Sequence, residues 1–270
     1  MYSPGKASRR VGSRGAPLPS PYKIFSDSSV KVTFRRGGVS MLAGVPGAFK
    51  TALALNEVVS WADQGLYTQY FSVDSDESTI VERLNGIVTG KSMQEVEAYT
   101  RNNPTYFDSQ LNDRLGDKVM FEYQNQSWDS MVYHVASYEQ KYGAYPDVVV
   151  VDNLIDLAPD VYAFSEMQAI IKNADSLAKK IGAHVHILHH ARLVSHDSAM
   201  DVTPGLPPPA QEIQGRMTQF PTLVMTLGAA GMNLRLAVVK NRFGWQYPDA
   251  RVSHPFLVHP NMRVVEATER

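Results

Sequence analysis

The sequence predicts a three-layer α/β fold: a mostly parallel central sheet, covered by helices on both faces and extended at its C-terminal end by antiparallel strands. Three observations carry this expectation. From Val39 to Leu188, short apolar runs alternate with stretches whose apolar residues recur at helical spacing, the pattern of parallel strands joined by crossover helices. The first apolar run enters a loop containing Gly and Pro that opens directly into a helix. After Arg216 the helical spacing stops, and apolar runs follow one another across short turns, as antiparallel neighbours do.

Taken in order, residues 1–22 are rich in Gly, Ser, Pro and Arg with few apolar side chains, too few to offset the entropy of ordering them. They read as a flexible basic tail. The domain division places residues 1–30 in this tail, a candidate subunit-docking arm with Tyr22–Phe25 as its anchor, and residues 31–270 in the folded domain. Strands are expected at Val39–Ala43, Thr68–Val73, Val119–Tyr123, Val148–Val151 and His184–Leu188. Between them lie helices expected at Thr51–Ala62, Thr79–Val88, Trp128–Tyr138 and Glu166–Ile181. The antiparallel extension comprises Leu223–Leu227 and Leu234–Val239, separated by Gly-Ala-Ala-Gly-Met-Asn, then runs around Phe256–Val258 and Arg263–Val265.

Composition narrows the function classes. With 270 residues, 44% of them hydrophobic, the chain can bury one main core. No apolar run approaches the length of a membrane span and no apolar block follows the N-terminal charges, so the cytoplasm is the expected compartment and no membrane contact is expected. Having no cysteine, it can hold a metal only through oxygen or imidazole. The net charge of −1 divides unevenly. Residues 1–36 hold eight Lys or Arg against one acid, leaving eighteen against twenty-six in the remainder, a net of −8. Such a core does not coat a phosphate backbone, so contact with nucleic acid is expected only in a loop or channel lined by a few basic residues.

The chemistry begins where Val39–Ala43 runs into Gly44-Val45-Pro46-Gly47-Ala48-Phe49-Lys50-Thr51, followed by Ala52 in the opening helix. In a phosphate-binding loop, glycines let successive backbone N–H groups turn toward the phosphates and the helix N-terminus adds partial positive charge. Lys50 is then placed to reach the β- and γ-phosphates of ATP, and Thr51 to ligate Mg²⁺. Gly44, Pro46, Gly47, Ala48, Phe49 and Ala52 complete the expected cradle. Phe49 stands where the usual pattern has glycine, which changes the backbone freedom of that position but keeps its N–H.

Two acids end apolar strands. Asp152 follows Val148-Val149-Val150-Val151 at the strand end where doubly wound sheets place their ligands, and is the candidate second Mg²⁺ residue, acting through water. Asp74 follows Tyr70-Phe71-Ser72-Val73 and is the candidate base for the attacking water, with Asp76 and Glu77 as rivals.

These motifs, in their order over roughly residues 35–247, resemble the motor domain of DnaB-type ring helicases, a branch of the RecA-like phosphate-loop ATPases. Tyr70-Phe71-Ser72-Val73-Asp74, with Arg83 beyond it, is similar to that family's strand-and-acid motif and helix arginine. Val149-Val150-Val151-Asp152-Asn153-Leu154 is similar to its Walker B strand. His184–Leu188 leading into His189-His190-Ala191-Arg192 resembles its sensor strand, with His189-His190 in place of Ser-Gln as in the RepA-like branch. By this resemblance His190 senses the γ-phosphate. Lys240-Asn241-Arg242-Phe243-Gly244 resembles the motif that offers Lys240 and Arg242 to the neighbouring subunit's ATP. The family's helical N-terminal domain is not matched, so docking of a primase or loader is not implied.

Two further features stand apart from these motifs. His184, His186, His189, His190 and His196 lie close in sequence and could suggest an imidazole metal site; they read more simply as ordinary strand histidines, with His184 and His186 expected near the surface. The loop Leu193–Ile213, with Gly205 and Pro207-Pro208-Pro209, is long and rich in breakers. Its position resembles the DNA-facing loops of RecA-type rings, which makes Arg192 and Arg216 candidate contacts to single-stranded DNA. The expected protein is a three-layer RecA-like ATPase that uses ATP and Mg²⁺, forms a homo-oligomer, a hexameric ring, and moves on single-stranded DNA. Its alternatives are a RecA- or RadA-like recombinase and a regulatory oligomeric ATPase with slow turnover.

Overall fold

The computed structural model describes residues 15–26, 32–123, 127–157, 164–192 and 205–267. Nine strands form one sheet: β1 Val39–Gly44, β2 Thr68–Ser72, β3 Val119–Glu122, β4 Val148–Asp152, β5 His184–His190, β6 Leu223–Ala230, β7 Asn233–Asn241, β8 Ser253–Val258 and β9 Val264–Glu266. Their spatial order is β3-β2-β4-β5-β1-β6-β7-β8-β9. The first six strands in that order pair in parallel, and β6 to β9 pair antiparallel. This is the expected sheet with its antiparallel extension.

The described helices are α1 Lys23–Ser26, α2 Lys50–Asp63, α3 Glu77–Thr89, α4 Met93–Asn102, α5 Asp108–Arg114, α6 Trp128–Tyr142 and α7 Phe164–Ile181. Side-chain alternation along the central strands assigns them to two layers. Leu42, Tyr70, Val148 and Val150 face a core shared with Leu53, Leu55, Val58 and Trp61 of α2 and Ile80 and Leu84 of α3. Met41, Phe71, Val149 and Val151 face the opposite core, with Met131 and Val135 of α6 and Ile171 and Ala174 of α7. Helices α4 and α5 are not among the expected elements. They carry one fully buried position between them, Val96, so no apolar stripe marks them; a capping box at Ser92 and Glu95 starts α4 instead.

Residues 15–26, expected to belong to a flexible tail, pack on the domain. Leu18, Tyr22, Ile24 and Phe25 are buried, Leu18 N–H donates to Phe34 O at 2.8 Å, and Trp61 Nε1 of α2 donates to Pro19 O at 2.8 Å. The apolar residues are few, but they are spaced to meet a groove that α2 and β9 provide, and only the fold reveals that groove. Residues 1–14 and 27–30 of the expected tail lie outside the described residues. No described helix is long and apolar enough to cross a membrane.

Candidate nucleotide site

Parallel pairing sets the site. In the register of β1 and β5, Gly44 lies beside His190; in that of β2 and β4, Ser72 lies beside Asp152. Val73 N–H continues the ladder to Asp152 O at 2.7 Å. The C-terminal ends of four strands therefore bring the phosphate loop, Asp74, Asp152 and His190 to one edge of the sheet, the usual place for a ligand in such folds. A cavity of about 380 Å³ opens there, and Lys50, Thr51, Asp74, Asp152 and His190 all line it. Pro46, Gly47, Ala48, Phe49 and Ala52 line it as well; Gly44 lies beneath, where an added Cβ would meet Leu227 O at 2.7 Å.

Phe49 adopts φ 60° and ψ 27°, the left-handed region where glycine is at ease and other residues cost roughly 1–2 kcal/mol. The backbone course of the loop is thus kept without the glycine. Lys50 is buried and its Nζ donates to Gly44 O at 3.0 Å and Val45 O at 3.1 Å. Burial lowers its pKa, and the negative charges of Asp152 and Asp74 oppose that shift. Thr51 Oγ1 donates to Asp152 Oδ2 at 2.8 Å, and Tyr70 OH donates to the same oxygen at 2.7 Å. Burial raises the pKa of Asp152, while these two hydrogen bonds and the Lys50 charge pull it down.

A hydroxyl and a carboxylate side by side at the phosphate loop form an all-oxygen pair suited to a hard cation such as Mg²⁺. His190 is half-buried; Asn153 Nδ2 lies 3.3 Å from its Nε2, and its Nδ1 is buried without a partner among the described residues. Burial and the Lys50 charge hold its pKa down, so it faces the cavity as a neutral ring at pH 7.

Among the rival acids, Asp74 is exposed and lines the cavity. Asp76 caps α3 by accepting from Thr79 N–H at 2.8 Å and Ser78 Oγ at 2.7 Å, and neither Asp76 nor Glu77 lines the cavity. Arg83 of α3 also reaches it.

Four predicted site residues lie outside this cavity. Lys240 Nζ donates to Thr218 O at 2.5 Å and Gln219 O at 2.7 Å, and Arg242, just past β7, is exposed. Arg192 is exposed, and its N–H donates to Glu212 O at 2.8 Å beside the bridge between Ala191 and Ile213. That bridge closes the base of the long loop next to His190. Arg216 ends a short 3₁₀ turn at Gln214–Arg216; residues 193–204 lie outside the described residues.

His184 and His186 are not near the surface. Strand β5 is central, and both rings are buried against Ser40 Oγ, each at 2.7 Å. Burial lowers their pKa values to about 4 and about 3. His189 is buried too, with Nε2 3.0 Å from Gln214 O. Among the described residues no group of three or more His, Cys, Asp or Glu is arranged to hold a metal; His196 lies outside them.

Sequence reasoning missed Tyr70 as a partner of Asp152, and Met262, which reaches the cavity from the turn between β8 and β9. Tyr70 left a faint signal, a hydroxyl in an otherwise apolar strand just before its polar end. Met262 left none.

A phosphate loop at the end of β1, a parallel sheet and an acid at the end of the second strand over define a P-loop NTPase, a fold that implies nucleotide binding. The chain belongs to the AAA domain family, whose profile matches residues 16–195. It is 26% identical over 266 residues to the Gene 65 protein of Mycobacterium phage L5, covering 93% of each chain. To the Gene 65 protein of Mycobacterium phage D29 it is 27% identical over 213 residues, covering 75% of this chain and 88% of that one. Among solved structures, its fold is similar to that of an isolated ATPase domain, with a TM-score of 0.74 and 14% identity over 98% of this chain and 97% of that one. A DnaB-like replicative helicase solved with its primase interactions gives 0.75 and 14% over 99% and 68%. A KaiC-like protein from Pyrococcus horikoshii gives 0.61 and 14% over 93% and 99%. The resemblance read from the motifs is met at the level of fold: RecA-like, of the type found in DnaB-like helicase ATPase domains.

Proposed function

We propose that the chain hydrolyses ATP with Mg²⁺ and couples hydrolysis to movement on single-stranded DNA as a ring, most simply a hexamer, with residues 31–270 as the motor domain. The observation that carries this reading is the convergence of Lys50, Thr51, Asp74, Asp152 and His190 on one cavity. Loop N–H groups and Lys50 bind the phosphates; Thr51 and Asp152 hold Mg²⁺, which when bound neutralises charge on the β- and γ-phosphates. Asp74 takes a proton from the attacking water, and His190, neutral and with Nδ1 unpartnered, contacts the γ-phosphate. The bridge between Ala191 and Ile213 ties that contact to the loop bearing Arg192 and Arg216, which gives hydrolysis a path to DNA.

Ring assembly is supported by the exposure of Arg242 away from its own chain's cavity, the geometry needed for a residue that completes a neighbour's site across a heterologous interface. Similarity in fold to the DnaB-like replicative helicase supports the helicase reading, and the KaiC-like likeness keeps the slow regulatory ATPase as its rival. The test is the ATPase rate with and without single-stranded DNA, in the wild type and in Lys50→Ala. Stimulation by DNA that Lys50→Ala abolishes is expected. Turnover indifferent to DNA favours the regulatory reading, and wild-type turnover in Lys50→Ala overturns the phosphate-loop assignment.

A further inference from the structure

We propose that the turn between β8 and β9 supplies the base shelf of the nucleotide site, with Met262 as its contact, and that this shelf holds a purine by its face without reading its edge. The site then takes ATP and GTP with similar affinity. The inference rests on the nucleotide reading above and specifies its substrate class.

Cavity-lining side chains fall into two groups. Asp74, Arg83, Asp152, Asn153 and His190 gather at the strand ends, around the phosphate loop. Away from them, along the first turn of α2, the wall is made by Ala52, Phe49 and Met262. Since the phosphates belong at the N-terminus of α2, the base must extend toward the second group, which has no side-chain donor or acceptor. Phe49 and Met262 both pack on the core beneath α2.

The turn is built to hold Met262 there. Asn56 lies one turn along α2 from Ala52, about 6 Å on. Its Nδ2 donates to Met262 O at 2.8 Å, and its Oδ1 accepts from Val264 N–H at 3.2 Å. On the other side Asn261 abuts α3 so closely that a Cβ on Gly86 would stand 2.8 Å from Asn261 O. Backbone strain points to the same place. Three described residues other than glycine have positive φ, namely Phe49, Ala250 and Met262, and two of the three line this cavity. Such strain persists where surrounding contacts enforce it, and it gathers at ligand sites. A polarisable thioether on a rigid turn offers area to any purine face.

Calorimetric titration of the full chain with ATP, GTP and inorganic tripolyphosphate, each with Mg²⁺, tests this. Wild type should bind ATP and GTP within about threefold of each other. Met262→Ala should weaken ATP and GTP about tenfold, the scale of one lost apolar side-chain contact, and leave tripolyphosphate unchanged; Met262→Leu, which conserves volume, should restore most of the loss. A hundredfold preference for one purine in the wild type, unchanged ATP affinity in Met262→Ala, or equal loss of ATP and tripolyphosphate would overturn the proposal. Failure of the wild type to bind either ATP or tripolyphosphate would instead overturn the phosphate-loop reading. Thermal melting of each variant separates a lost contact from a lost fold.

Discussion

Glu57 allows a stability prediction worked from one buried group. It lies on α2, 2% exposed, between the apolar side chains of Phe25, Phe34, Leu53 and Met225. Its Oε1 accepts from Ser20 Oγ at 2.7 Å, and its Oε2 is buried without a partner among the described residues. Burial raises its pKa from the ordinary 4.5 to about 8, against the pull of the Ser20 hydrogen bond. The folded chain therefore keeps a proton that the unfolded chain has released over that range. Stability from the neutral acid is fully present below 4.5 and lost as pH rises through 8. At about 1.4 kcal/mol per tenfold, the whole loss is on the order of 5 kcal/mol, with about 3 kcal/mol gone by pH 7. Glu57→Gln keeps the shape and an acceptor for Ser20 but does not titrate; its added N–H₂ lacks a partner, at a cost of about 1–3 kcal/mol. Urea denaturation from pH 5 to pH 9 should show curves that cross, the variant being less stable at pH 5 and more stable at pH 9. His186, lining the same small cavity, is held neutral by a pKa of about 3 and cancels in the comparison. Parallel curves would refute the reasoning, because they would mean that Glu57 does not bury a proton.

The site supports four further predictions. Asp74→Asn should retain nucleotide binding and lose about 10²-fold in hydrolysis, whereas Asp76→Asn should alter stability through the α3 cap and leave the rate near wild type; the reverse pattern would move the base to Asp76. Tyr70→Phe removes one of two hydrogen bonds to Asp152, of a kind worth about 1.5–3 kcal/mol when the acceptor is charged, and should raise the Mg²⁺ concentration needed for half-maximal nucleotide binding about tenfold; an unchanged requirement makes that hydrogen bond structural only. Arg192→Ala and Arg216→Ala should each weaken single-stranded DNA binding and reduce its salt slope by about one unit per lost phosphate contact, and unchanged slopes would return both to ordinary surface charge. Lys50→Ala and Arg242→Ala should each be inactive alone. Mixed in equal amounts, they should recover partial ATPase activity at about one interface in four; no recovery in oligomers shown by native mass spectrometry to be mixed would leave Arg242 without a role across the interface.

The sequence by itself determined the sheet and the phosphate end of the site. Val148-Val149-Val150-Val151 could only be a strand buried on both faces, and a Gly-Pro-Gly loop ahead of Lys50-Thr51 needed just its neighbours in sequence to be read, because phosphate binding uses local backbone. What depends on distant pairing was decided by the tertiary structure. Asp74, not Asp76, reaches the cavity because Asp76 is consumed as the cap of α3. His184 and His186, polar and expected outside, are buried because β5 falls between β4 and β1, where Ser40 meets both rings. Leu18, Tyr22 and Phe25 were too sparse to signal order until α2 and β9 made a groove for them. Met262 lies far along the chain from the loop it faces, and no local pattern could place it there. Only the closing of β9 over α2, through two hydrogen bonds to Asn56, brings it to the cavity.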